Sequence, residues 1–218
     1  STACAAEMLE TPPAVLERFM AAAPTLGQLG EYLIDCFGDF DFEGITLTPP
    51  TVTFDHRLDV PVGDLTVELH EVGPAHTAGD VIAYVPETNV VYTGDILFIE
   101  GTPLMWAGPI SNWIAACDLI VGFGTDTIVP GHGPLTNADG VRRVRDYLTY
   151  IDAEARARHD AGMSVDDAAA DISLGEFASW IDRERVAVNV DTIYRELDPS
   201  RGPTDVATLF AMMAKLAI

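Results

Sequence analysis

The 218-residue chain carries 34 acidic against 12 basic side chains, a formal net charge of −22, and is 48% apolar. A chain this acidic is repelled by a nucleic-acid backbone or an anionic membrane, while its apolar content is enough for a sizeable core. Three cysteines without a CxxC pair argue against a disulfide framework, and no run approaches the ~18 apolar residues of a membrane helix, so a soluble cytoplasmic protein is expected.

The chain opens at Ser1 and enters a helical pattern at once, "CAAEMLE", which reads as a cut end. Residues 3–10 are predicted helical. Pro12-Pro13 break that helix, and Pro13 suits the first turn of the next, "AVLERFMAAA". A third helix, "LGQLGEYLIDCF", runs to Gly38, and residues 39–50 are loop-like. From 51 the period changes. "TVTFDHRLDV" and "LTVELHEV" alternate apolar with polar residues, which predicts antiparallel strands joined near Pro61–Asp64. "VIAYV" and "VVYTGD" predict a second hairpin around the Pro86–Asn89 turn. From about 111 Trp113, Ile114, Cys117, Ile120 and Val121 fall on one helical face, where Cys117 reads as a small buried hydrophobe. "TDTIVP" returns to a strand. Helical stripes follow over 138–158 and 183–197, with Ser164 ahead of Asp166-Asp167 as a helix start, and a short helix spans 203–216. Helices, then strands, then helix–strand–helices fit one sheet layer covered by helices.

Three loop residues stand out from this pattern. His76 in "EVGPAHTAGD", Asp95 in "VVYTGDILF" and His132 in "TIVPGHGP" each follow a β-run and lie beside glycine or proline. Strand ends give rigid support, and glycine permits close approach of backbone. Two imidazoles and a carboxylate suit zinc, and the carboxylate has two oxygens with which to bridge two ions. His56 and His70, on alternating strands, and His159, on an arginine-rich helix face, have no comparable setting.

In this order and at these spacings, "GPAHTAGD", "VVYTGDILF" and "IVPGHGP" resemble the metallo-β-lactamase superfamily, in its hydrolase branch around the hydroxyacylglutathione hydrolases. The likeness is close over roughly residues 50–160 and looser in the flanking helices. It implies a mixed α/β (α+β) fold: a four-layer αββα sandwich, incomplete here, with residues 1–160 as the superfamily domain and 161–218 as a helical extension packed on the same domain. It implies two divalent metal ions, zinc first, with iron or manganese suited to the same donors. His76 would join the first metal, Asp95 would bridge both and be central to catalysis, and His132 would join the second. The superfamily's upstream HxHxDH segment has no counterpart in the sequence. The expectation is therefore a C-terminal portion of a longer polypeptide, whose missing N-terminal segment completes the site. The competing reading is a metal-dead scaffold or binding module.

The implied chemistry is attack on a carbonyl by a metal-bound hydroxide, formed because coordination lowers the pKa of water towards ~7. The apolar, turn-rich loop "LFIEGTPLMWAGP" would supply the pocket wall through Phe98, Met105 and Trp106. That wall suits an ester, thioester or lactone with a hydrophobic acyl part. Relatives with similar C-terminal helices make a polyketide cyclase–thioesterase the alternative. The helices of 138–197 would form a lid or an interface with a second copy of the chain. The net charge disfavours the nuclease branch of the superfamily.

Overall fold

The computed structural model describes residues 1–10 and 12–217. Three short helices come first, α1 (Thr2–Glu10), α2 (Ala14–Ala22) and α3 (Gln28–Phe37), with Pro13 at the N-terminal boundary of α2 as its fixed φ favours. The strands are β1 (Arg57–Val62), β2 (Leu65–Glu71), β3 (Val81–Val85), β4 (Val90–Tyr92) and β5 (Thr127–Val129). They form one sheet in the order β1-β2-β3-β4-β5. The first three joints are antiparallel and joined by short turns. The β4–β5 joint is parallel, because α4 (Ile110–Gly122) lies between the two strands and carries the chain back. The mixed α/β class and its resemblance-derived fold hold.

The sheet has two unlike faces. Ile82, Val91 and Ile128 are fully buried in one cluster with Trp113 and Ile120 of α4 and Val144 and Leu148 of α5 (Ala138–Asp160). On the opposite face the register pairs Leu58 with Leu69, Val60 with Val67 and Val62 with Leu65, then Ala83 with Tyr92. This second face is apolar and only partly covered, with Val62 53% and Tyr92 48% exposed. An αββα sandwich would lay its other sheet on such a face. The described residues form a single five-stranded sheet.

Strand β1 starts later than the alternation in "TVTFDHRLDV" predicts. His56 sits at φ +67°, and Arg57 N–H closes a turn on the Asp55 carbonyl at 2.9 Å, so the extended run begins only at Arg57. Pro61 then lies inside β1, tolerated because β1 is an edge strand. The stripe of 183–197 likewise splits into a 3₁₀ turn, Arg183–Arg185, and α7 (Val186–Leu197).

The last helices close over the body. The Ser164 hydroxyl accepts from Asp167 N–H at 3.1 Å and caps α6 (Val165–Asp171). Helix α7 packs on α5 and α6, and α8 (Val206–Leu216) packs on α3 and α7. Gln28 of α3 donates to the Ala214 carbonyl at 2.9 Å. Cys117 is buried, as its place in the α4 stripe predicts, and burial pushes its thiol up to about 12. Among the described residues no helix is long and apolar enough to cross a membrane.

Glu196 near the end of α7 provides a pH test of this packing. Its carboxylate accepts from Ile110 N–H at 2.9 Å, at the start of α4, yet burial, the largest effect, raises its pKa above the usual glutamate range. A raised folded pKa stabilises the fold at low pH, and that contribution is lost as pH rises through the raised value. Glu196→Gln, which keeps the accepting oxygen, is expected to raise the melting temperature at neutral pH. The gain should vanish near and below pH ~4.3, where the unfolded glutamate is also protonated. Thermal melts from pH 4 to 8 check this, and a difference independent of pH would refute it.

Candidate metal centre

The parallel register of β4 and β5 sets two of the three candidate donors side by side. Tyr92 pairs with Val129, and Asp95 and His132 each lie three residues further on. The chain turns sharply at Gly94, φ +51°, and Asp95 occupies a short 3₁₀ turn. Gly131 N–H donates to the Gly94 carbonyl at 2.9 Å, so the two loops touch backbone to backbone. A Cβ on Gly131 would stand 2.6 Å from that carbonyl oxygen and press on the Asp95 carboxylate. Gly133 takes φ +90° against the Ile99 backbone, a conformation that favours glycine. The two glycines flanking His132 thus have different reasons, close approach on one side and left-handed backbone on the other.

His76 arrives from the other direction, in the loop between β2 and β3. Thr77 donates to the Asp80 carboxylate from its N–H at 3.0 Å and its hydroxyl at 2.6 Å, which closes the loop. Burial raises the Asp80 pKa, and the Thr77 hydrogen bonds oppose that rise. On the far side, Trp106 N–H donates to the His76 carbonyl at 2.9 Å and Gly108 N–H to the Ala75 carbonyl at 2.9 Å. His76 is buried, 8% exposed, and its ring lies against Phe98 and Trp113, at centroid distances of 5.6 and 5.9 Å. Its Nδ1 is hydrogen-bonded to the Leu104 carbonyl. A carbonyl only accepts, so Nδ1 carries a proton, and in the neutral ring it is Nε2 that has the lone pair.

That lone pair faces Asp95. His76 Nε2 is 3.4 Å from Asp95 Oδ2, and His132 Nε2 is 3.4 Å from Asp95 Oδ1. The three side chains converge, one imidazole on each carboxylate oxygen. Both distances exceed the 2.7–3.2 Å of a good N–H···O bond. They match the edge of a zinc tetrahedron: two donors 2.0–2.1 Å from the ion stand about 3.3–3.4 Å apart. Among the described residues no group of three or more His, Cys, Asp or Glu side chains is set to hold one metal ion. Each oxygen of the Asp95 carboxylate thus faces one imidazole nitrogen.

Phe98 stacks on His132 at 4.5 Å and 8°, and the Arg185 guanidinium lies 5.4 Å from the centre of the same Phe98 ring. His76, Asp95, Phe98, Leu104, Trp106 and His132 all border a cavity of about 660 Å³. Phe98 and Trp106 therefore line the space beside the three donors. Met105 does not: it is 1% exposed and belongs to the core, with its N–H bonded to Asn189 Oδ1 at 2.9 Å. Leu104 and Trp106, its neighbours in sequence, border the cavity instead. Sequence reasoning missed the opposite wall, made of Tyr32, Glu184, Arg185, Phe210 and Met213. Tyr32 donates to Glu184 Oε1 at 2.9 Å, and burial, with the neighbouring Glu184 carboxylate, raises its pKa well above the usual phenol range. Arg185 is held by the Thr102 carbonyl at 3.1 Å and by Asp182 at 2.9 Å. No motif marks these residues; they come from α3, the 183–185 turn and α8, brought over the site by helix packing.

The profile of the Metallo-beta-lactamase superfamily matches residues 5–132, more than half of the chain, and the chain belongs to that superfamily. It is similar to a linear primary-alkylsulfatase of Pseudomonas sp. (strain ATCC 19151), 25% identical over 143 residues that cover 59% of this chain and 26% of the relative. The stereoselective inverting sec-alkylsulfatase Pisa1 of Pseudomonas sp. shares the fold, with a TM-score of 0.54 at 16% identity over 72% of this chain and 29% of that one. A double mutant of that enzyme gives 0.55 at 16% identity, over 71% and 28%. The chain spans little more than a quarter of the length of each relative.

Proposed function

We propose that this chain forms the catalytic floor of a metal-dependent hydrolase that cleaves an ester bearing an apolar chain. The observation that carries the proposal is the convergence of His76, Asp95 and His132 at one end of a cavity walled by Leu104, Trp106, Phe210 and Met213. His76 and Asp95 would hold one divalent ion, zinc first, and Asp95 and His132 the other. When bound, such ions polarise the scissile bond and make hydroxide available at neutral pH. The remaining donors would come from a segment of the same protein outside these residues; the short span of the match to its relatives supports this. Asp95 would present one carboxylate oxygen to each ion, and the Leu104 carbonyl, bonded to Nδ1, leaves His76 to present Nε2. Phe98 orients His132 by stacking, and Trp106 bounds the space for the apolar part of the substrate. The three free cysteines support a reducing, cytoplasmic setting.

For the ester itself we favour a sulfate ester of an apolar alcohol. The alkylsulfatase relative supports this, as does Arg185, which has N–H donors beyond those given to Thr102 and Asp182. A neutral acyl ester, thioester or lactone is the second reading, favoured by the carboxylates of Asp35, Asp182 and Glu184 around the same cavity. Zinc-loaded full-length protein assayed on alkyl sulfates, acyl thioesters, aryl esters and lactones of graded chain length separates the two. Turnover that survives a chelator would refute the metal mechanism. Trp106→Ala is expected to leave metal content unchanged and to weaken long-chain substrates by roughly 5- to 150-fold in KM, from about 1–3 kcal/mol of lost contact. Short-chain substrates should be unaffected. Equal effects on both would remove Trp106 from the pocket.

A further inference from the structure

We propose that Asn189 and Thr192, close neighbours on α7, are positioning residues that set which nitrogen of His76 carries the proton. Both are buried, each 1% exposed. Asn189 Nδ2 donates to the Pro103 carbonyl at 2.9 Å, and its Oδ1 accepts from Met105 N–H at 2.9 Å. Thr192 Oγ1 donates to the Met105 carbonyl at 2.7 Å. The backbone is therefore pinned on both sides of Leu104, whose own carbonyl takes the proton of His76 Nδ1. Trp106 N–H, one residue further, holds the His76 carbonyl at 2.9 Å. Residues 103–106 form a strap between α7 and the His76 loop, and α7 lies outside the superfamily match of residues 5–132.

The chemistry follows from the strap. With the Leu104 carbonyl in place, the neutral imidazole keeps its proton on Nδ1 and presents the Nε2 lone pair to Asp95 Oδ2 at 3.4 Å. If the strap moves, Nδ1–H loses its acceptor and the proton can settle on Nε2, which then has no lone pair for a metal. Partners of this kind orient metal-binding histidines and tune their affinity. The inference rests on the proposed metal role of His76, but one of its readouts needs no metal.

The test uses Asn189→Ala, Thr192→Val and Tyr147→Phe. The last removes the other partner of Asn189, the Tyr147 hydroxyl at 3.0 Å from Nδ2, and leaves the strap bonds in place. Long-range ¹H–¹⁵N NMR of the zinc-free protein at about pH 8, above the ordinary histidine pKa, reads the His76 tautomer. Chelator competition reads zinc affinity. Asn189→Ala is expected to turn a single Nδ1–H form into a mixture and to weaken zinc about tenfold, the low end of the effect of losing a histidine's partner. Thr192→Val should move both readouts the same way by less. Tyr147→Phe should lower the melting temperature and leave both unchanged. The proposal falls if His76 keeps Nδ1–H in both α7 variants, or if Tyr147→Phe shifts the tautomer as far as they do. Should Asn189→Ala not fold, Thr192→Val against Tyr147→Phe decides alone. Full-length wild-type protein that binds no zinc, while the α7 variants show these tautomer shifts, would sink the metal reading and leave the strap standing.

Discussion

Replacing Asp95 with alanine is expected to empty the proposed centre and to lower turnover by at least about 10³-fold. The carboxylate supplies one oxygen to each histidine side of the site, at 3.4 Å from His76 Nε2 and 3.4 Å from His132 Nε2. Without it each proposed ion would lose one of the two donors this chain offers it, and the two would lose the donor they share. Metal ions contribute several kcal/mol of transition-state stabilisation, and each 1.36 kcal/mol is a factor of ten in rate. The fold should survive, because the Asp95 side chain is 41% exposed and outside the core. Elemental analysis after dialysis, circular dichroism and turnover on the preferred ester check the three parts separately. Full metal content with only a tenfold loss of rate would mean that Asp95 does not bridge.

The candidate donors were legible because each follows a β-run, and because Asp95 and His132 stand directly beside glycine. Parallel pairing of β4 with β5 then turns two equal offsets, Tyr92 to Asp95 and Val129 to His132, into proximity. The helices were legible for a similar reason. The stripe Val141, Val144, Tyr147, Leu148 and Ile151 has one period and one buried face. The pocket was only partly legible. Phe98 and Trp106 border the cavity but Met105 does not, since "TPLMW" is irregular backbone and composition does not say which of its apolar side chains turns inward. Nor does an amphipathic stripe say what it packs against. Phe210 and Met213 of α8 and Arg185 before α7 border the same cavity as His132 because α8 docks on α3 and α7 on α5. Alternation in 51–60 failed for a local reason, the left-handed backbone of His56, which no period can register.

The apolar outer face of the sheet and the half-shell of donors have a common reading. Leu58, Val60, Leu65, Val67 and Leu69 alternate cleanly toward a side that the described helices leave partly open. The donors sit at the ends of strands of that same sheet, with His132 53% exposed. In the superfamily architecture implied by the sequence, one further layer would both cover the face and bring donors to the ions. That joins the fold and the proposed chemistry: burying the sheet and completing the centre would be one event.

Gly131→Ala is expected to couple stability to catalysis more tightly than any other glycine substitution in the chain. The backbone conformation is not the obstacle, since Gly131, unlike Gly133, does not take a left-handed φ. The obstacle is space. A methyl group there would stand 2.6 Å from both the carbonyl carbon and the oxygen of Gly94 and would press on the Asp95 carboxylate, all of which belong to the opposing loop. Backbone cannot rotate away as a flexible side chain would, so the β4 and β5 loops must separate. Overpacking of this kind costs about 1–3 kcal/mol. A displacement near 1 Å between Asp95 and His132 should also lower turnover by about 10²-fold. Gly124→Ala is the control. Gly124 has φ +64° with nothing within 4 Å of a built Cβ, so alanine there should cost about 1–2 kcal/mol of backbone strain without touching the site. Denaturant melts and turnover of the zinc-loaded protein compare the two. Similar destabilisation with activity lost only in Gly131→Ala is the expected pattern. Wild-type turnover in Gly131→Ala would show that the two loops need not touch for the site to work.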